Sequence, residues 1–117
     1  MQQNTALDDG WNGLPEFYRG HLDSFATSVV RLCEVARPLK LCAHTSMDAL
    51  CVSTAATFPE WIGAPSVIIV PHSNGSYRVL YSPRGPEADP DSELVCTDDT
   101  LVEEVTPLFK RLTHEKE

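Results

Sequence analysis

Cys42, His44 and Cys51 are the residues of this chain whose types best suit reactive chemistry. Thiolate and imidazole groups are preferred zinc ligands, and a cysteine beside a histidine can act as a nucleophile. A structural zinc site needs a fourth ligand, and the chain has neither C-x-x-C nor H-x-x-x-H spacing. We therefore predict ordinary strand residues here, with no metal and no cofactor. A zinc site, a catalytic Cys-His pair and a disulfide between Cys42 and Cys51 are the alternatives.

His72 and Tyr77 suit a small polar pocket at the tip of a predicted hairpin. The simplest interpretation of His72 is a solvated residue at the end of a strand. The alternative is a pocket near His44, His72 and Tyr77 that binds a small molecule. The chain contains none of the patterns G-x-x-x-x-G-K, G-x-G-x-x-G or G-x-S-x-G. Their absence argues against nucleotide hydrolysis, dinucleotide redox chemistry and an ordinary esterase.

Composition indicates one folded domain. The chain has 117 residues, of which 42% are hydrophobic and 22% charged, which is typical of a globular protein. No apolar run approaches the length of a membrane span, and residues 1–13 are polar and lack a signal-peptide core. We expect a flexible leader over residues 1–13, a single domain over residues 14–117 and a cytoplasmic location. The four cysteines should then be free thiols.

The formal charge of −8 is concentrated in residues 85–104, which contain 8 of the 17 acidic residues and no lysine or arginine. Such a field repels phosphate backbones and anionic lipid, so we expect neither nucleic acid nor membrane as a partner. A solvated loop followed by a helix start explains the acidic residues most simply. A docking site for a basic partner is the alternative.

The segment 66–82 predicts a β-hairpin, because two apolar runs flank Asn74-Gly75, a dipeptide suited to a two-residue type I′ turn. The predicted register pairs Val70 with Val79, Ile68 with Tyr81 and His72 with Tyr77 on one face, and Ile69 with Leu80 on the other. Large apolar side chains would thus occupy both faces. Both faces should then need cover. Helices would cover one face, and a partner, a second copy or a ligand the other, with internal cover by the loop over residues 57–65 and the leader as the alternative.

The remaining elements follow from periodicity. Apolar spacing predicts one helix over residues 15–36 and another from residue 101, with a kink or restart at Pro107. Alternation predicts strands over residues 39–44, 49–56 and 93–97. If the first two strands form a hairpin, Leu50 and Val52 face one side, and Cys42, His44 and Cys51 share the other.

The loop over residues 57–65 contains Trp61 between prolines. We interpret it as a structural plug over the core, with an exposed aromatic anchor for a partner as the alternative.

These elements predict an α+β fold in which an antiparallel sheet of about four to five strands is flanked by an N-terminal and a C-terminal helix. In architecture alone the chain resembles small acidic proteins that act as secretion chaperones, immunity proteins or regulatory subunits. We expect a non-catalytic interaction module that binds a protein partner or itself as a homodimer. The alternative is a small-ligand sensor or small enzyme. The expected interaction surface comprises Trp61, Ile68, Val70, Tyr77, Val79 and Tyr81.

Overall fold

The structure of the chain is a computed structural model that describes residues 9–20, 22–55, 60–72, 75–86 and 89–116, with the backbone alone at residues 61, 115 and 116. Three α-helices and five strands lie within these residues. Their order is α1 (Leu14–Tyr18), α2 (Asp23–Ala36), β1 (Cys42–Ser46), β2 (Ala49–Ser53), β3 (Ser66–Pro71), β4 (Ser76–Ser82), β5 (Ser92–Thr97) and α3 (Leu101–Lys116). Among the described residues, no helix combines the length and the apolar character needed to cross a membrane.

The sheet is a five-stranded antiparallel meander in which each strand pairs with its neighbours in sequence, in the order β1-β2-β3-β4-β5. The helices supply Phe25, Leu32 and Phe109 to a hydrophobic core shared with one face of the sheet. We call this face the inner face and the opposite one the outer face. The predicted α+β class, with helices before and after an antiparallel sheet, is confirmed.

The N-terminal helical region is interrupted, so the prediction of one helix over residues 15–36 is wrong. The helix α1 ends at Tyr18, because Arg19 has an extended backbone with a ψ of 136°. Gly20 follows with a φ of 100°, and its amide donates to the Asp23 carboxylate at 2.6 Å. Glycine reaches such positive φ values without the steric cost that a side chain imposes. The apolar stripe nevertheless continues across the break, because Tyr18 of α1 and Phe25 of α2 pack edge to face at 4.6 Å between ring centroids.

The β3–β4 hairpin differs from prediction by one residue in register. The structure pairs Ile69 with Val79 and Ile68 with Leu80. The His72 amide donates to the Ser76 carbonyl at 2.9 Å, so three residues separate these two partners in the sequence, and the last of the three, Gly75, has a φ of 82°. The prediction placed only two residues in this connection, and that part of it is wrong.

The β1–β2 hairpin and the helix α3 were each predicted from periodicity, and both are present. The β1–β2 register pairs Ala43 with Val52 and His44 with Cys51, so odd positions pair with even ones as predicted. The helix α3 continues through Pro107 as one helix, so of the two predicted alternatives, a kink or a restart, the restart is wrong. Near Pro107, the Thr106 hydroxyl donates to the Val102 carbonyl at 2.7 Å.

Residues 9–13 of the expected leader pack against the domain, whereas residues 1–8 lie outside the described part of the chain. Trp11 is only 2% exposed, and its indole nitrogen donates to the Leu41 carbonyl at 3.0 Å. The Ala43 amide donates to the Asp9 carbonyl at 2.7 Å. The domain therefore extends at least to Asp9, and this segment lies along β1.

Candidate functional site

The outer face of the sheet is defined by the strand residues that alternate with the buried inner ones. Because partners in the antiparallel register share a face, its members can be read across all five strands. The outer face comprises Cys42, His44, Ser46, Ala49, Cys51, Ser53, Ser66, Ile68, Val70, Ser76, Arg78, Leu80, Ser82, Glu93, Val95 and Thr97. Apart from the imidazole of His44, its titratable charges are Arg78 and Glu93, which form an ion pair at 2.7 Å. This face therefore carries no formal net charge when His44 is neutral.

One end of the outer face is covered by loops. Ser53, Ser66 and Ser82 are buried there, and the hydroxyl groups of Ser53 and Ser66 donate to nearby loop carbonyls at 2.9 Å. Gly85 approaches the chain around Ile62 so closely that an added Cβ would lie 1.9 Å from the Ile62 carbonyl oxygen. The connections before β3 and after β4 therefore close this end.

The other end of the outer face is open and carries apolar side chains. Val95 is 68% exposed, and Val70 and Leu80 are half-buried. Ile68, which is 9% exposed, lies directly opposite Leu80. Arg78 lies between Val70 and Val95 in the register, so one charged side chain interrupts this apolar surface. The four apolar residues run from the middle of the sheet to β5, and we call them the apolar strip.

The structure separates the residues expected to form an interaction surface. Ile68 and Val70 belong to the apolar strip, but Tyr77, Val79 and Tyr81 point to the inner face and are at most 2% exposed. The changed register of the hairpin explains this division. The side chain of Trp61 lies outside the described residues.

Leu80 and Val95 were missed at the sequence level. The signal that could have identified Val95 is its position in the alternating segment 92–97, where it faces away from buried Cys96. Leu80 could have been assigned to the outer face only from the correct hairpin register.

The two edges of the sheet differ. The edge of β1 is engaged at Ala43, whose amide binds the Asp9 carbonyl. On β5, the outward amide and carbonyl of Thr97 bind Thr100, and the Asp91 amide binds the Tyr81 carbonyl. Between these points, alternation of the antiparallel ladder turns the backbone of Glu93 and Val95 away from β4. Within the described residues, the outward amides and carbonyls of Glu93 and Val95 form no hydrogen bond. We call this stretch of β5 the open edge.

The cysteine and histidine residues of β1 and β2 share the outer face as expected. His44 lies opposite Cys51, whereas Cys42 lies opposite Ser53. Burial raises the pKa of the Cys51 thiol to about 11 and lowers the pKa of His44. A protonated thiol is a poor nucleophile and a poor metal ligand. The described residues contain no cluster of three or more potential ligands that could hold a metal ion.

His72 and Tyr77 line one cavity of about 230 Å³, together with the start of α2. Its walls are Leu22, Asp23, Ser24, Phe25, His72, Gly75 and Tyr77. The Tyr77 hydroxyl donates to the Asp98 carboxylate, and burial together with this bond raises the tyrosine pKa. His44 points to the opposite face of the sheet from Tyr77. The expected pocket therefore unites His72 with Tyr77 and excludes His44.

A second cavity of about 350 Å³ lies beside the N-terminal segment, where Trp11, Val30, Cys33 and Arg37 contribute to its walls. Arg37 is already engaged, because its guanidinium donates to the Asp9 carboxylate at 3.0 Å and to the Asn12 side-chain oxygen at 3.0 Å. Burial raises the pKa of the Cys33 thiol. This cavity offers neither an activated nucleophile nor an unpaired cation.

No protein-family model, curated protein or solved structure matches the chain.

Proposed function

We propose that the protein is a non-catalytic interaction module, of the chaperone, immunity or regulatory-subunit type, that associates with a second copy through the outer face of its sheet. The observation that carries this proposal is the apolar strip, which ends at Val95 with 68% of that residue exposed. The helices that cover the sheet pack on its inner face. Association would remove apolar surface from water, which is the main favourable term in most protein–protein contacts.

Charge favours a second copy at this face. The chain carries a formal charge of −8, so two copies repel each other over most of their surface. The outer face is an exception, because Arg78 and Glu93 neutralise each other across neighbouring strands. Face-to-face packing of two antiparallel sheets is a common arrangement in which the sheets lie about 10 Å apart, so the side chains of the two apolar strips would be in contact.

The chemistry of the buried thiols supports a role without catalysis. Cys51 has a pKa raised to about 11, and burial also raises the pKa values of Cys33 and Cys96. An activated cysteine needs the opposite shift. The four cysteines are free, which is consistent with a proposed cytoplasmic location, where thiols stay reduced.

Size-exclusion chromatography with light scattering tests the self-association. The wild-type chain should have the mass of a dimer at high concentration and dissociate on dilution. Val95→Glu places a charge in each copy of the strip and should give a monomer. Val30→Glu is the matched control, because Val30 is 43% exposed on α2, away from the sheet's outer face. A wild-type monomer at every concentration, or equal effects of both substitutions, would contradict the proposal.

The cavity that unites His72 with Tyr77 favours a second function, the binding of a small polar molecule. Its volume of about 230 Å³ is smaller than the roughly 300–1,000 Å³ of pockets for drug-sized ligands, so only a small compound fits. A thermal-shift screen of small polar metabolites tests this function. A compound that stabilises the wild-type chain but not His72→Ala would support it. A screen without any stabilising compound would set it aside.

A further inference from the structure

We propose that the open edge of β5 binds an extended, basic segment of a partner protein as a sixth strand of the sheet. The inference rests on the proposed function as an interaction module and names a second surface and its partner. Strand addition to an exposed sheet edge is a general mode of peptide recognition, in which backbone hydrogen bonds supply affinity and side-chain pairs supply specificity.

The backbone groups accessible at the two sheet edges favour β5 as the binding edge. At β1, the N-terminal segment approaches so closely that a Cβ on Gly10 would lie 1.7 Å from the Ala43 carbonyl oxygen. A partner strand could not enter beside Ala43 without displacing that segment. At β5, the backbone groups of Glu93 and Val95 point outward.

The open edge has defined ends. The Asp91 amide turns inward to the Tyr81 carbonyl, and Thr97 is engaged by Thr100. Between these points, Glu93 and Val95 each present one donor and one acceptor. An added strand can therefore form up to four backbone hydrogen bonds, which fixes its register on the sheet.

The charge around the open edge selects a basic segment. Residues 85–104 contain 8 acidic residues and no lysine or arginine. Arg78 and Arg84 reach this region from β4 and the loop that follows it, and bind Glu93 and Asp91. Pairing β5 with β5 of a second copy would instead bring two acidic segments together, which is unfavourable.

The side chains on the outer face refine the expected sequence of the partner. Glu93 and Val95 are two residues apart and point to the same face. A cross-strand neighbour should be apolar beside Val95, and beside Glu93 it should be basic, where it would share the carboxylate with Arg78. The preferred segment therefore carries a lysine or arginine two residues from a valine, an isoleucine or a similar side chain.

The probe is the synthetic peptide KTVTKTVTKT, titrated into the ¹⁵N-labelled full chain and followed by NMR. We expect the amide resonances of Glu93 and Val95 to shift most, and binding to weaken as salt rises. The peptide ETVTETVTET has the same backbone capacity and the opposite charge, so it should not bind. A titration in which KTVTKTVTKT leaves both amides unmoved would overturn the inference.

Val95→Pro tests the backbone contribution, because it removes an outward amide without removing a hydrogen bond to β4. Loss of one bond should weaken peptide binding about fivefold, whereas Val95→Thr, which keeps the amide and the branched shape, should change it less than about twofold. Circular dichroism must show that the variant is folded. If it is not, Glu93→Pro replaces it. Equal peptide binding by a folded proline variant and the wild type would also contradict the inference.

The outcomes separate the two proposals. A dimer by light scattering that does not bind KTVTKTVTKT overturns the edge inference and leaves self-association intact. A monomer whose Glu93 and Val95 amides respond to the peptide supports strand addition and overturns self-association.

Discussion

Replacing Gly10 by alanine should loosen the segment that lies along β1, and Gly13→Ala provides a matched control. Both glycines have positive φ values, 88° at Gly10 and 83° at Gly13. A Cβ at Gly10 would lie 1.7 Å from the Ala43 carbonyl oxygen, whereas a Cβ at Gly13 meets no atom within 4 Å. The two substitutions therefore share the backbone strain, but only the first adds a steric clash.

The structure gives the expected magnitudes. An alanine in the left-handed region costs about 1–2 kcal/mol, which is the whole cost expected for Gly13→Ala. At Gly10, relief of the clash must also move the segment and break two hydrogen bonds, from the Ala43 amide to Asp9 and from the Trp11 indole to Leu41. At about 1 kcal/mol for each bond, the total loss for Gly10→Ala is about 3–4 kcal/mol.

Urea denaturation followed by tryptophan fluorescence measures the difference. We expect the free energy of unfolding of Gly10→Ala to fall below that of Gly13→Ala by about 2 kcal/mol. Gly10→Ala should also aggregate more readily, because displacement of the segment opens the β1 edge. Equal losses in the two variants would show that the segment does not bind β1 as described.

Three further predictions concern Asp9, Cys51 and Pro107. Burial tends to raise the pKa of Asp9, but its bonds with Arg37 and Trp11 outweigh burial and lower it. The Asp9 carboxylate therefore stabilises the fold above about pH 4, and urea titrations should show the advantage of wild type over Asp9→Asn shrinking as pH falls through the folded pKa. Because the pKa of Cys51 is about 11, mass spectrometry at pH 8 should show alkylation at least about a hundredfold slower in the folded chain than in urea. Pro107→Ala should raise the free energy of unfolding by about 1–3 kcal/mol, since it restores a donor inside α3.

Local sequence rules predicted the fold class and the β1–β2 pairing. Alternation in the two short strands allows only an odd-with-even register if their apolar residues share the core, and the structure pairs Ala43 with Val52 accordingly. The short final strand followed by an amphipathic helix was also evident from periodicity. These features depend on neighbouring residues, so a single sequence carries the necessary information.

The errors arose where tertiary contacts decide between local alternatives. The apolar stripe of residues 15–36 is continuous in sequence, but Gly20 turns the chain and still leaves Tyr18 beside Phe25. The segment around Trp11 has little local apolar character, and its burial depends on the distant Leu41 carbonyl. The sequence shows that positions 20 and 11 are glycine and tryptophan. It does not show which groups they contact in the fold.

The hairpin shows why the site was harder to predict than the fold. Asn74-Gly75 suits a two-residue turn, yet His72 binds Ser76, so three residues lie between these partners in the sequence. The resulting shift of one residue in register exchanges the two faces of one strand relative to the other. Because both faces of this hairpin are apolar, the sheet still presents an apolar strip, although Leu80 replaces Tyr81 opposite Ile68. The hypothesis of an interaction surface is therefore less sensitive to register than the identity of its residues. Only knowledge of the strand pairing could have placed Leu80 on that surface and Tyr81 in the core.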